Sequence, residues 1–101
     1  MTDRLHFSRA AERDLDSIWT YSVRQWGREQ ANAFIRRLNE AFDRLSMFPL
    51  SGRDESDLRP GYRALAVSDY RIFYRLIDSE IEIVRILHGQ MDIARHLDPD
   101  G

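Results

Sequence analysis

Arginine is the residue whose placement in this chain most clearly points to chemistry. All 15 basic residues other than histidine are arginine, and within the segment 61–89 they recur at Arg63, Arg71, Arg75 and Arg85. A guanidinium group presents a planar fork of donors that matches carboxylate or phosphate oxygens. The segment therefore either offers a surface to anionic groups or pairs its arginines with Asp and Glu. A genomic preference for arginine codons would produce the same composition.

His88 is the residue best placed to transfer a proton. It follows an apolar run and precedes Gly89, and Asp92 lies four residues further on. Asp92 could orient His88 as a general base, although a histidine that ends a strand and bonds to backbone groups is the more frequent case. Together with His6 and His96, it shows no spacing typical of a metal site.

Other catalytic patterns are missing from the sequence. The chain has no cysteine, which excludes a thiol nucleophile, a disulfide and a cysteine zinc site. No serine lies in a G-x-S-x-G sequence, and no glycine-rich loop that could hold a phosphate group is found. We therefore predict no catalytic residue, no metal and no cofactor.

Length, charge and hydropathy bound the class of protein. With 101 residues, of which 43% are hydrophobic, the chain can close one core, and we expect a single domain over residues 1–101. A net charge of −2 gives no general case for nucleic-acid binding, so no direct sequence-specific contact with nucleic acid is expected. The sequence shows no membrane-spanning run and no signal-peptide pattern, which predicts a soluble, cytoplasmic protein.

Three apolar runs must position the arginines and His88. They are Tyr62–Val67, Tyr70–Ile77 and Glu80–Leu87, and only two residues separate each from the next. Breaks of two residues between runs rich in β-branched and aromatic side chains indicate hairpins. The segment therefore predicts an antiparallel meander.

Two helices precede the meander. Ser8 can cap the first with its side-chain oxygen, Gly27 can end it, and Pro49 terminates the second. The apolar residues at helical spacing are Ala11, Leu15, Ile18, Trp19 and Trp26 in the first helix, and Ala31, Phe34, Ile35, Leu38, Ala41, Phe42 and Leu45 in the second. Both tryptophans are predicted to lie in the core of an antiparallel helix hairpin.

The predicted fold is α+β. An N-terminal strand at Arg4–Phe7 precedes the helix hairpin, which packs on one face of a three- to four-stranded, mainly antiparallel sheet. Leu50–Pro60 is polar with Gly and Pro, so we predict a loop there. Gln90–Leu97 is expected to form a short C-terminal helical turn, and Asp98–Gly101 a tail.

Alternation within the run Tyr70–Ile77 assigns its side chains to two faces of the sheet. The more apolar set, which should meet the helices, is Tyr70, Ile72, Tyr74 and Leu76, and the set on the open face is Arg71, Phe73, Arg75 and Ile77. An aromatic ring exposed between two arginines is a surface that a partner is expected to cover.

The second hairpin turn decides which residues pair across the strands. A two-residue turn pairs Arg75 with Glu82. The same turn pairs Phe73 with Val84, whereas a three-residue turn moves Arg85 to the predicted open face. Asp-Ser is a weak turn signal, so both registers are open.

The order of elements and several motifs resemble the ParE branch of the RelE/ParE toxins. The motifs are DLDSIWTYSVRQWG in the first helix, then DLRPGYR, SDYRIFYR, EIEIVRILHG and MDIARHL. The resemblance covers nearly the whole chain, from Leu5 to Leu97. It implies the toxin of a bacterial type II toxin–antitoxin pair, which binds DNA gyrase, traps its cleaved-DNA state and is neutralised by a ParD-like antitoxin.

The RelE branch of the same superfamily instead cuts mRNA in the ribosome, with basic groups that stabilise the developing phosphate charge. On that pattern Arg71 occupies the position of the strand arginine. Two first-strand positions that are usually basic in RelE-like toxins are Tyr62 and Ala64 here, and the positions of a later arginine and a C-terminal tyrosine fall near Met91 and Leu97. The resemblance therefore implies no cleavage, although His88 keeps a Glu/Arg/His version open. A non-toxic interaction domain of the same fold is a further alternative.

Two sets of residues follow for the binding functions. The candidates for target contact and toxicity are Arg63, Arg71, His88, Asp92 and Arg95. The candidates for antitoxin binding are Arg71, Phe73 and Arg75. An antitoxin tail that is disordered alone is expected to fold on this second set, with its acidic residues facing the arginines.

Overall fold

Two helices lie on one face of a five-stranded mixed sheet, in an α+β arrangement. The computed structural model describes residues 5–89 and 93–97. Its elements are β1 (Leu5–Phe7), α1 (Arg9–Trp26), α2 (Arg28–Met47), β2 (Arg53–Asp54), β3 (Tyr62–Val67), β4 (Tyr70–Ile77), β5 (Glu80–His88) and α3 (Ile93–His96). The helix hairpin, the meander and the C-terminal helical turn are therefore confirmed, the last of them over its described residues.

The strands lie in the order β1-β5-β4-β3-β2. Strand β1 runs parallel to β5, and the other neighbours are antiparallel. The predicted count of three to four strands is wrong because β2 forms within the segment expected to be a loop. Its two residues, Arg53 and Asp54, pair with Ala64 and Arg63. A strand of two residues shows no alternation in the sequence, and it forms because the outer edge of β3 offers backbone groups to pair with.

The predicted helix ends are confirmed by their hydrogen bonds and backbone angles. The Ser8 hydroxyl accepts from the Ala11 N–H and donates to the Val84 carbonyl, so the same residue caps α1 and ties it to β5. Gly27 has a φ of 87°, a value that favours glycine, and it alone separates α1 from α2. Helix α2 ends at Met47, and Phe48 and Pro49 follow directly.

The main core lies between the hairpin and the sheet. Its buried residues are Ala11, Ile18, Leu38, Ala41, Phe42, Leu45, Ile72, Tyr74, Ile81, Ile83 and Ile86. Phe7 packs edge-on against Phe42, with ring centroids 5.0 Å apart. The prediction that Trp26 lies in this core is wrong, since its side chain is 66% exposed. The buried stripe of α1 ends at Ser22, one turn before Trp26.

The second hairpin combines features of both registers considered from the sequence. Asp78 and Ser79 both have positive φ, as in a two-residue type I′ turn, and Arg75 pairs with Glu82 as predicted. A β-bulge between Phe73 and Tyr74 then shifts the pairing by one residue. The predicted pairing of Phe73 with Val84 is therefore wrong. Phe73 lies opposite Arg85 instead.

The face of the sheet opposite the helices is covered around Phe73. Phe73 is 0% exposed, so the prediction that it lies on a bare surface is wrong. It belongs to a second buried cluster with Tyr62, Ala64, Leu87 and Leu97, which Leu58, Val84 and Ile93 flank. Phe73 points away from the helices, as alternation predicts, but α3 and the loop that carries Leu58 cover it.

Candidate functional site

Arg71 and His88 lie on opposite faces of the sheet. Arg71 is exposed and pairs with Leu87, whose side chain belongs to the second cluster. His88 pairs with Tyr70, whose ring lies 5.4 Å from that of Phe34 on α2. Residues paired across antiparallel strands point to the same face. A shared active site would require the Arg71 cation and the candidate base His88 on the same face. The sheet lies between them instead.

Arg63 holds a loop on the helix side of the sheet. Its Nη1 donates to the Gly52 carbonyl over 2.9 Å, and across the strands it pairs with Tyr74. The Tyr74 hydroxyl donates to the Pro49 carbonyl (2.8 Å) and accepts from the Gly52 N–H (2.9 Å). Burial raises the pKa of Tyr74 above the usual value for a tyrosine.

Gly52 is required by this arrangement because a side chain there would collide with Tyr74. A Cβ atom at Gly52 would lie 2.5 Å from the Tyr74 hydroxyl oxygen. Arg63 therefore fixes the segment after α2. The guanidinium N–H that it uses for this hydrogen bond could otherwise bind a target.

Arg75 is paired within the chain. Its Nε lies 2.7 Å from Glu82 Oε1, and its guanidinium carbon lies 6.0 Å from the centre of the Tyr62 ring. A partner that binds Arg75 would compete with the carboxylate of Glu82. Of the three predicted antitoxin contacts, Arg71 is exposed, Arg75 is engaged and Phe73 is buried.

Sequence reasoning missed an ion pair between α1 and β5. Arg85 Nε and Nη2 donate to the two carboxylate oxygens of Asp14, over 2.8 and 2.9 Å. The Ile86 N–H donates to the same carboxylate, and Arg85 Nη1 donates to the His96 carbonyl of α3. These hydrogen bonds to Asp14 raise the pKa of Arg85 above its usual value. A local sequence pattern cannot predict this contact, because Asp14 and Arg85 lie 71 positions apart in the chain.

A cleft of about 650 Å³ opens on the helix side of the sheet, between the hairpin and the turn that joins β3 to β4. Its lining includes Tyr21, Trp26, Phe34, Tyr70 and His88. Tyr21 and Trp26 are 54% and 66% exposed, and the His88 ring packs edge-on against that of Tyr70 at 5.2 Å. Burial raises the pKa of Tyr70. Sequence analysis misses this cleft because it assigns Trp26 to the core and does not single out Tyr21.

The remaining candidates lie at the C-terminal end. Arg95 is exposed on α3, and Asp92 lies outside the described residues, so its place beside His88 stays a prediction. Within residues 5–89 and 93–97, no group of three or more His, Asp or Glu side chains is arranged to hold a metal ion. Over the same part of the chain, no helix has the length and apolar character needed to cross a bilayer.

Comparison with known proteins gives consistent matches over this fold. A family model described as the ParE toxin of type II toxin–antitoxin system, parDE, matches residues 5–93. Toxin ParE1 of Mycobacterium tuberculosis is 39% identical over 98 residues, which are 96% of this chain and 100% of that protein. Toxin ParE1 of Caulobacter vibrioides is 41% identical over 90 residues, which are 89% of this chain and 93% of that protein.

A solved structure also shares the fold. It is a chain of the chromosomal ParDE TA system from P. aeruginosa, with a TM-score of 0.73 and 28% sequence identity. The match covers 83% of this chain and 92% of the other.

Proposed function

This chain belongs to the ParE toxin family and is the toxin of a type II toxin–antitoxin system, and on that premise we propose that it inhibits DNA gyrase by binding, without a reaction of its own. A ParD-like antitoxin neutralises it by forming a complex with it. The chain presents contact groups to gyrase on the sheet face that carries Arg71 and at the C-terminal helix that carries Arg95.

The separation of Arg71 from His88 is the observation that best supports binding over catalysis. An RNA-cleaving toxin needs a proton-transfer group and a cation on the same phosphate, within hydrogen-bond reach of one another through the substrate. Here the body of the sheet lies between them, because Arg71 pairs with Leu87 and His88 with Tyr70. Groups placed in this way can each contact a large partner but cannot act together on one bond.

The antitoxin is best placed on the aromatic cleft of the helix hairpin. Exposed Trp and Tyr are the side chains that most often dominate binding energy at protein interfaces, and Trp26 and Tyr21 both line this cleft. Arg37 lies at the same cleft and suits an acidic residue of the partner. Phe73 is unsuited to this task, since it is buried beneath α3 in the free chain. We therefore propose an antitoxin segment that folds here with an apolar side chain as its anchor.

A pair of matched substitutions tests the antitoxin site. Replacing Trp26 by Ala should weaken antitoxin binding by about tenfold or more, in line with the loss of an interface aromatic. Phe48 is a suitable control because it is a comparably exposed aromatic side chain, at 60%, that does not line the cleft. Its replacement by Ala should change the dissociation constant less than about threefold. Equal losses in both variants, or none in either, would place the antitoxin elsewhere.

Expression of the chain without antitoxin tests the target. Filamentous cells with DNA-damage signals, together with loss of supercoiling activity by purified gyrase, are the expected result. Rapid arrest of translation with mapped mRNA cuts would instead support the RelE-like activity. Unimpaired growth, with the folded chain present in the cell, would indicate a non-toxic interaction domain.

A further inference from the structure

Asp14 is the centre of a network that joins three elements. Its carboxylate accepts three hydrogen bonds, two from the guanidinium of Arg85 and one from the backbone N–H of Ile86. The two charged side chains are largely shielded, with 14% of Asp14 and 21% of Arg85 exposed. Charge-assisted, two-point pairs of this kind are the stronger class of hydrogen bond and fix geometry as well as charge.

Asp14 supplies a hydrogen-bond acceptor to a part of β5 that β1 does not reach. Strand β1 pairs with β5 only as far as Ile83, so the N–H of Ile86 lies beyond its reach. A buried N–H without a partner costs stability, and the Asp14 carboxylate of α1 supplies the acceptor. The same carboxylate then orients Arg85, whose Nη1 reaches the His96 carbonyl over 2.9 Å.

Helix α3 depends on contacts of this kind to keep its place. It is four residues long, and a helix of that length has no stability of its own in water. The last carbonyls of a helix lack intrahelical partners, and Arg85 satisfies one of them at His96. The burial of Leu97 against Phe73 and Leu87 then depends on α3 lying where this hydrogen bond holds it.

We propose that Asp14 and Arg85 form a clamp that positions α3, and that the clamp is required for toxicity because α3 carries Arg95 at the target-facing surface. The inference rests on the proposed function, since it assigns the clamp a role in target contact. Asp14 is a positioning residue, because it acts on α3 only through Arg85. The antitoxin cleft, built from α1, α2 and the first hairpin turn, does not depend on α3 for its shape.

The test is Asp14→Asn, which removes the charge that holds Arg85 and leaves a side chain of the same size. Hydrogen exchange at the Leu97 N–H, which bonds to the Ile93 carbonyl, reports directly on α3. We expect this exchange to become about tenfold faster or more, as for a segment that opens locally. Exchange of the Leu38 amide in the buried part of α2 should be accelerated by a clearly smaller factor.

Two further variants complete the design. Arg85→Lys keeps the positive charge but loses the fork that serves Asp14 and His96 together, so it should also release α3. Asp16→Asn is the matched control because it removes the same charge from an exposed position of the same helix. It should change neither amide.

Toxicity is measured as growth arrest, which requires no assumption about the target. Asp14→Asn and Arg85→Lys should need about tenfold more expressed protein to arrest growth, whereas antitoxin affinity should change less than about threefold.

The clamp is refuted if Leu97 exchange is unchanged, or if Leu38 exchange accelerates equally, which indicates general destabilisation. Full toxicity with α3 released would refute the positioning role. If these results hold but the parent chain does not inhibit gyrase, the target assignment fails and the clamp stands.

Discussion

The two faces of the sheet are closed by different kinds of structure. Helices α1 and α2, 18 and 20 residues long, cover one face and bury a continuous core against it. The other face is covered by the four-residue α3 and by the loop that carries Leu58. The first cover has extensive apolar contact along two long elements. The second depends on a smaller cluster and on the Asp14–Arg85 pair.

This difference has a consequence for function. Segments with few buried apolar contacts open at lower free energy than core helices, so α3 is the more readily displaced cover. The helix side carries the cleft lined by Trp26 and Tyr21 on two long helices, while the other side carries Arg71 and Arg95 on a surface whose shape depends on one short helix. The surface proposed for the antitoxin and the surface proposed for the target are therefore built on elements of different stability.

The largest expected effect distinguishes a covered second face from an open one. Phe42 on the helix side and Phe73 on the other side are both buried, at 7% and 0% exposure. Changing either to Ala should lower the free energy of unfolding by about 3–5 kcal/mol, as is usual for a core phenylalanine. Urea denaturation of the two variants measures both costs in one experiment. A loss below about 1 kcal/mol for Phe73→Ala alone would mean that the second face is open in solution.

A smaller loss of stability is expected from removing the hydrogen bonds that join Tyr74 to the loop after α2. Tyr74→Phe removes the hydroxyl that accepts from the Gly52 N–H and donates to the Pro49 carbonyl. Leaving these buried backbone groups without a partner should cost about 1–3 kcal/mol. Tyr21→Phe is the control, because Tyr21 is exposed, and its melting temperature should match that of the parent. Equal melting temperatures for both variants would show that water replaces the Tyr74 hydroxyl.

The same tyrosine predicts a dependence of stability on pH. Burial raises the pKa of Tyr74 in the folded chain above the unfolded value, which is about 10. The folded state therefore holds this proton more tightly, so the contribution is fully present below about pH 10 and is lost as the pH rises through the folded pKa. Unfolding free energies measured from pH 8 to 11 should fall more steeply for the parent than for Tyr74→Phe. Parallel curves would contradict the assignment. The pKa of Tyr70 is raised as well, but Tyr70 is present in both proteins and contributes to both curves.

The sequence predicted the helix side well because long elements repeat their apolar residues at a fixed period. Ser8, Gly27 and Pro49 mark the helix ends with local chemistry, and the structure confirms each of them. The second face was predicted wrongly because no periodic signal marks a four-residue helix or a two-residue strand. The bulge at Phe73 likewise has no local signature, and the Asp14–Arg85 pair joins positions that only the folded chain brings together.

The candidate site shows the same limit. Alternation correctly predicted that Arg71 is on the face away from the helices, but it could not show that Arg63 would be tied to Gly52 or Arg75 to Glu82. Such pairings depend on which loop or strand lies opposite. His88 was singled out by its position at the end of a strand, and its face was settled only by the register with Tyr70.

The most direct test of a binding mechanism compares Arg71→Ala, His88→Ala and the double variant in a titration of gyrase inhibition. Arg71→Ala should raise the concentration for half-inhibition by about 5- to 30-fold, which corresponds to about 1–2 kcal/mol for one contact. His88→Ala should change it less than about threefold, because His88 lines the cleft proposed for the antitoxin. Because the two residues lie on opposite faces, their effects should add in free energy. A loss of 100-fold or more from His88→Ala alone, with no further loss in the double variant and with folding intact, would contradict binding and indicate a catalytic unit.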